Sequence, residues 1–284
     1  MQFKGLRQGM PIAFCLLSLA LCQGGNSSMP VFTPELNSMR TLSVGFVIFP
    51  GFELLDVFGP MEILTVLSAF NKMTLSVIAE EISLVPAGMQ PYGPDDFSAP
   101  PTDFGHVIAP RVEATHNFKN APALDILFVP GGLGVVTLEQ TNNTSVEDFV
   151  KLRLASLEYL VGVSFGGATL ARAGVLNGKR ATTNKSGWTW ITERGPNVTW
   201  VPQARWVEDG NIWTTSGTAS SLDATYALFS RFYGAQPLNY MLNVIEYAPH
   251  LDPTWDPYAA NFNVSGSDNS TWQGCVSPVP MPVG

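Results

Sequence analysis

Residues 162–166 read Gly-Val-Ser-Phe-Gly, set between a β-type run, Glu158 to Val161, and a helical one, Ala168 to Ala173. A small-residue turn that throws one nucleophile out between a strand and a helix is a nucleophile elbow. The flanking glycines are needed because such a turn is too tight for side chains and its backbone is strained. The motif commits the chain to strands that run straight into helices. It also makes Ser164 the residue on which any enzymatic reading must stand. Five-residue matches of this kind arise by chance as well; the strand-turn-helix context gives this one its weight.

The rest of the chain has the same character. Thr41 to Phe49 is an apolar β-rich run, followed by helical spacing of apolar residues from Glu53 to Ala69. Strands are expected at Leu75–Ala79, Asp125–Val129 and Tyr159–Val163, with a helix over Val146–Leu157. Short strands are expected at Arg180–Thr183, Val198–Pro202, Trp206–Val207 and Ile212–Thr215, and a helix from Ser221 to Tyr233. Continuous apolar strands alternating with amphipathic helices predict an α/β sandwich: a mostly parallel sheet with helices on both faces. Ligand sites in such sheets lie beyond the carboxyl ends of the strands. Three turns meet that criterion: Pro50–Asp56, Pro130–Gly134 and Val163–Gly167.

The 284 residues divide into an expected signal peptide over 1–23, a linker over 24–40, one domain over 41–260 and a flexible glycosylated tail over 261–284. Lys4 and Arg7 precede an apolar stretch from Pro11 to Cys22 that is too short to span a bilayer. This predicts export. Asn26, Asn142, Asn143, Asn197, Asn263 and Asn269 each open an N-x-S/T sequon, which predicts a glycoprotein. Asn184 fits the pattern too but is expected to be unmodified near the site. Cys15 and Cys22 would leave with the signal peptide, so Cys275 would remain alone, with neither a disulfide nor a cysteine metal site. The formal charge of −8, without a basic run, argues against nucleic-acid binding and against a lipid surface. No His/Asp/Glu cluster has metal-ligand spacing, so neither metal nor cofactor is expected.

Four blocks carry a resemblance: Phe49 to Leu64, Asp125 to Gly134, Val161 to Trp188, and Asp209 to Gly234. Together they resemble the DJ-1/PfpI superfamily, which is class I glutamine amidotransferase-like, and within it the isonitrile hydratase-like proteins. The resemblance implies a flavodoxin-like sandwich. It implies a site that combines an elbow cysteine, an acid from the first loop, and backbone amides. By motif, Asp56 matches the acid, and Gly131, Gly132 and Phe165 supply the oxyanion-type amides. Asn184 and Trp188 are candidate substrate-binding residues. The resemblance also makes a homodimer the assembly to test.

Two departures stand out. Ser164 replaces the cysteine, and Asn184 follows Ala181-Thr182-Thr183 where the subgroup commonly has histidine. A serine hydroxyl is not ionised by a turn and amides alone and needs a positioned base. Three functions remain open at this point. The first is a cofactor-independent hydratase or lyase-type enzyme acting on a small molecule, in which Asp56 moves protons and Ser164 positions substrate or water. The second is a small-molecule-binding pseudoenzyme. The third is a secreted serine hydrolase using Ser164, Asp223 and His250, although the Ser220–Asp223 neighbourhood also suits helix capping. His106 and His116 read as ordinary surface or satisfied histidines. Phe165, Trp188 and Trp190 read equally as core or as pocket wall.

Overall fold

The computed structural model describes residues 39–88, 97 and 106–267. The expected signal peptide, all three cysteines and the sequons at Asn26 and Asn269 lie outside the described residues. A seven-stranded sheet organises the chain. Its strands are β1 (Leu42–Val47), β2 (Met73–Ala79), β5 (His116–Asn117), β6 (Ile126–Val129), β7 (Tyr159–Gly162), β10 (Trp206–Asp209) and β11 (Ile212–Thr215). Their spatial order is β10-β11-β7-β6-β1-β2-β5, parallel throughout except for the β10–β11 pair at one edge.

The strands legible as continuous apolar runs occupy the middle of the sheet. β1, β6 and β7 are buried on both faces, as parallel strands under two helical layers must be. Phe46 and Phe128 are register partners on β1 and β6, and their rings stack at 4.6 Å. Two small pairs lie outside the main sheet: β3 (Leu84–Pro86) with β4 (Arg111–Glu113), antiparallel, and β8 (Arg180–Ala181) with β9 (Thr199–Trp200).

The helices are α1 (Leu54–Ser68), α2 (Gly134–Gln140), α3 (Ser145–Arg153), α4 (Gly166–Arg172), α5 (Trp188–Thr192), α6 (Ser220–Tyr233), α7 (Ala235–Val244) and α8 (Pro257–Asn261). α1, α6 and α7 pack together; α2, α3, α4 and α5 form a second packed group. The α1–α6 contact is close enough that a Cβ on Gly59 would lie 2.8 Å from Leu222 Cδ1.

Several elements differ from the sequence expectation. The helix expected over Val146–Leu157 ends at Arg153 and finishes as a 3₁₀ turn, Leu154–Ser156. α2, α5, α7 and α8 were not expected. α6 begins without a side-chain cap: Ala219 is its N-cap, and the Ser220 and Ser221 hydroxyls donate back to the Gly217 and Thr218 carbonyls. Asp223 therefore does not cap; its carboxylate is spent elsewhere. The ordered packing also runs past residue 260, because Val264 is buried. Among the described residues no helix is long and apolar enough to cross a membrane.

Candidate active site

Ser164 sits at φ 55°, the left-handed region that side chains avoid, at the junction of β7 and α4. A non-glycine residue held there costs of order 1–3 kcal/mol unless its surroundings fix it. They do. The Ser164 carbonyl accepts from Thr183 Oγ1 at 2.7 Å and from the Gly167 N–H at 3.2 Å, while the Gly166 N–H donates to Val163 O at 2.7 Å. Gly166 cannot carry a side chain, since a Cβ there would lie 2.9 Å from Pro130 O. The elbow thus packs its backbone directly on the turn that follows β6.

That second turn packs on the first. Gly132 has φ 107°, and a Cβ on it would lie 2.6 Å from the Glu53 nitrogen. A Cβ on Gly131 would overlap the Phe165 nitrogen. The Glu53 N–H donates to Gly131 O at 3.0 Å, and the Gly134 N–H donates to Gly51 O at 3.0 Å. The loops after the adjacent strands β1, β6 and β7 are therefore joined main chain to main chain. Among the described residues, the N–H groups of Gly132 and Phe165 donate to no acceptor. Two such free amides beside an elbow form an oxyanion-type cradle.

Asp56 enters this lattice from the first turn of α1. It is 0% exposed, and its Oδ2 accepts the Gly131 N–H at 2.7 Å. Burial pushes its pKa up from 3.8 to about 7; the Gly131 hydrogen bond opposes that rise, the Glu53 charge adds to it, and the Thr218 hydroxyl pulls slightly back. Oδ1 is sealed from solvent and has no hydrogen-bond partner among the described residues. A protonated carboxyl reduces the cost of that arrangement, because a neutral group tolerates burial far better than a charged one. A carboxyl poised near neutrality can both give and take a proton.

Asp56 and Ser164 share no direct hydrogen bond. The Ser164 hydroxyl, 3% exposed as a residue, instead accepts from Asn184 Nδ2 at 3.1 Å. The Asn184 oxygen accepts from the Ser186 N–H at 2.8 Å, the Ser186 hydroxyl at 2.6 Å and the Gly187 N–H at 3.3 Å. Three donors on Oδ1 fix the amide so that its NH₂ faces Ser164. An amide donor cannot remove a proton, so among the described residues no base meets the Ser164 hydroxyl.

The hydrolase arrangement is not assembled either. The Asp223 carboxylate takes Arg205 Nε, the Tyr247 hydroxyl, and the backbone N–H of His250 at 2.8 Å. The His250 ring stacks on Trp255 at 4.0 Å, and its Nδ1 is buried without a partner. His116 lies at the sheet edge, with Nδ1 2.8 Å from the Thr115 hydroxyl. Among the described residues no cluster of three or more His, Cys, Asp or Glu could hold a metal ion.

The aromatic candidates divide. Phe165 is buried against Gly187, whereas Trp188 and Trp190 line a groove of about 960 Å³. Arg194 covers Trp190 at 3.5 Å. Asn184 lines a second, smaller cleft of about 310 Å³. Trp188 is absent from its wall, so these two substrate-binding candidates face different cavities.

Two residues escaped the sequence reading. Lys185 is 3% exposed; its Nζ donates to Thr182 Oγ1 at 2.7 Å, Ala204 O at 3.0 Å and Thr183 O at 3.1 Å, and lies 3.4 Å from Asp256 Oδ2. Burial lowers its pKa to about 8 despite that partner. It anchors the Thr182–Thr183 segment that holds the elbow, and its aspartate opens α8. Thr218, beside Asp56, belongs to the turn between β11 and α6. Strand β11 is parallel to β7, so the rule about carboxyl ends would have found this fourth turn had it been applied there.

A model of the DJ-1/PfpI family matches residues 42–230. The chain belongs to the DJ-1/PfpI family. It is 30% identical over 211 residues to an isonitrile hydratase of Pseudomonas putida, covering 73% of this chain and 79% of that one. Among solved structures it is similar to a ThiJ/PfpI family protein from Pseudomonas syringae, with TM-score 0.60, 22% identity and coverage of 81% and 85% of the two chains. It is also similar to Drosophila melanogaster DJ-1beta, with TM-score 0.56, 16% identity and coverage of 74% and 100%. The structural likenesses show the shared fold. The segment after residue 230, with α7 and α8, lies beyond the family match, yet it supplies Asp256, Tyr247 and one side of the smaller cleft.

Proposed function

We propose that this DJ-1/PfpI protein catalyses cofactor-independent, lyase-type chemistry on a small molecule, with hydration of an isonitrile as its reaction. The observation that carries the reading is Asp56: a sealed carboxyl with a pKa of about 7, one oxygen held by Gly131 and the other unpartnered. In its protonated form it is the source of the proton that reaches the terminal carbon of R–N≡C through the Thr218 hydroxyl, whose residue lines the smaller cleft, leaving a nitrilium ion and a carboxylate. Water then adds to that carbon and returns a proton to Asp56. The resulting R–N=CH–OH rearranges to the formamide R–NH–CHO, so the sum is isonitrile plus water. Ser164, held by Asn184, positions the water, and the Gly132 and Phe165 amides hold the oxygen that becomes the formyl oxygen. No covalent step is needed, which is why serine can stand at the elbow. The test is formamide production from simple isonitriles, followed by NMR. Wild-type turnover that falls about 10²- to 10⁴-fold in Asp56→Asn supports the reading; turnover untouched by that change refutes it.

One observation favours a second reading, a binding protein without turnover: Ser164 meets an amide donor and no base. Saturable isonitrile binding with no product would select it.

Export and glycosylation belong to the same proposal. Asn142, Asn197 and Asn263 are exposed. Asn143 is half-buried, with its amide on Glu80 and its oxygen on the Ser145 N–H, so Asn142 is the better acceptor of that overlapping pair. Mass spectrometry of the protein from its native host tests this: a mature chain beginning near Gln23 and carrying glycans at these three sites is expected. A full-length, unmodified chain refutes it.

A further inference from the structure

We propose that the cleft beside Ser164 contains a carboxylate-binding subsite, formed by Arg205 and the amino end of α6, so that the substrate is a small molecule bearing a carboxylate. This rests on the reading above in placing the reaction at Ser164, whose partner Asn184 lines the cleft.

Arg205 is 8% exposed and lines the cleft. Its Nε donates to Asp223 Oδ2, but Nη1 and Nη2 donate to no acceptor among the described residues. Neither is sealed off from solvent. The guanidinium therefore turns one edge to Asp223 and leaves its other donors unused at the wall of a cavity. Its position is fixed on every side. Asp223 is itself held by Tyr247 and by the His250 N–H, and the Arg205 guanidinium lies 5.4 Å from the Trp255 ring. The Arg205 N–H donates to Pro253 O and its carbonyl accepts from the Ser216 N–H, both at 2.8 Å. A buried, immobilised arginine with a free fork is pre-organised for a planar two-oxygen acceptor.

The opposite wall adds to the same preference. Thr218, Ala219 and Ser220 line the cleft at the start of α6, a 14-residue helix. The Thr218 and Ala219 N–H groups have no acceptor among the described residues. Free amides at a helix amino end attract anions. Among the described residues the charged side chains in the cleft wall are Arg205 and Lys185, both cations. Their counter-ions, Asp223 and Asp256, are not part of that wall. Among the described residues no acidic side chain lines the cleft to repel an anion.

The ligand's size and charge follow. A volume of about 310 Å³ admits a compact molecule at the lower end of small-ligand sites. Because Asp223 already offsets Arg205, a singly charged carboxylate matches the remaining donors better than a doubly charged phosphate. Asn184, in the same wall, bonds to Ser164, so the cleft connects to the elbow through that side chain.

The test compares matched acids and esters in calorimetric binding to the full chain: isocyanoacetate against methyl isocyanoacetate, and phenylacetate against methyl phenylacetate. We expect each acid to bind about tenfold or more tightly than its ester. Arg205→Gln should abolish that preference, and Arg205→Lys should restore part of it. Since Arg205→Gln removes a donor from a buried carboxylate, Arg205→Gln/Asp223→Asn, which neutralises both partners, is the second variant if the first fails to fold. Equal binding of acid and ester by the wild type overturns the inference, as does a preference that survives both variants. The phenylacetate pair separates the two readings. An acid preference without isonitrile turnover keeps the subsite and removes the hydratase. Hydration of neutral isonitriles with no acid preference in either pair does the reverse.

Discussion

Replacing Asp56 with asparagine should stabilise the protein at neutral pH while removing its proposed activity. In the folded chain the carboxyl titrates near 7, against 3.8 when unconstrained, chiefly because it is buried. The folded state therefore holds its proton where the unfolded state has already released it, and stability must fall as pH rises from about 4 to about 7. The gap between the two values corresponds to about 4 kcal/mol at roughly 1.4 kcal/mol per pH unit. Below pH 4 both states are protonated and the penalty vanishes; above pH 7 it is present in full. Asparagine keeps an oxygen for the Gly131 N–H and carries no charge, so it lacks this pH term. Its new NH₂ finds no partner at the Oδ1 position, which costs about 1–3 kcal/mol at every pH and offsets part of the gain. The assay is chemical denaturation of both proteins at pH 4, 5, 6, 7 and 8. Other titrating groups are common to both and cancel in the difference. The wild type should be the more stable at pH 4 and lose ground by several kcal/mol by pH 8. A difference independent of pH would show that Asp56 is ionised throughout, and the general acid would be lost with it.

Ser164→Ala should cost far less turnover than Asp56→Asn, about tenfold, because it removes one hydrogen bond and no covalent intermediate; the opposite ranking in formamide assays would sink the mechanism. Ser164→Gly should raise stability by about 1 kcal/mol in thermal unfolding by relieving the φ 55° backbone. Wild-type protein should show no mass adduct after incubation with an organophosphorus probe, since Ser164 meets only the Asn184 amide; labelling at Ser164 would demand an unseen base. Gly131→Ala should be destabilised by several kcal/mol or fail to fold, because its methyl would overlap the elbow backbone; near-wild-type stability would show that the turns can separate.

What was legible in the sequence was legible for local reasons. β1, β6 and β7 are unbroken apolar runs closed by glycine or proline, and the turns after them carry the residues that a tight backbone crossing needs. The missed helices lacked such signals. α2 contains Val135, Val136 and Thr137, which favour strands, and forms because Gly134 docks on Gly51. α8 did carry a local sign, Asp256 as N-cap with Pro257 after it, hidden in a stretch whose composition suggested a loop. Within the site, the sequence put Asp56 and Ser164 on two of the turns beyond the strand ends, but it did not disclose their hydrogen-bond partners. Nothing near Asp56 in the sequence announces that Gly131 will take its carboxylate. Lys185 and Arg205 carry no local sign of burial, because their acids, Asp256 and Asp223, come from later segments of the chain. Charge burial of this kind is decided by tertiary structure alone.

The three turns that meet main chain to main chain have a consequence for how such a protein changes over time. Their geometry is specified by glycines and carbonyls, and none of the mutual contacts passes through the Ser164 hydroxyl. The position that bears the reactive atom is therefore uncoupled from the framework that displays it. A thiol, a hydroxyl or a bare methyl can occupy the same outward perch without asking the surrounding chain to refold. The price falls on Gly131, Gly132 and Gly166, which have no such liberty. In this architecture the chemistry is a replaceable fitting, and the inheritance is the hollow in which it is mounted.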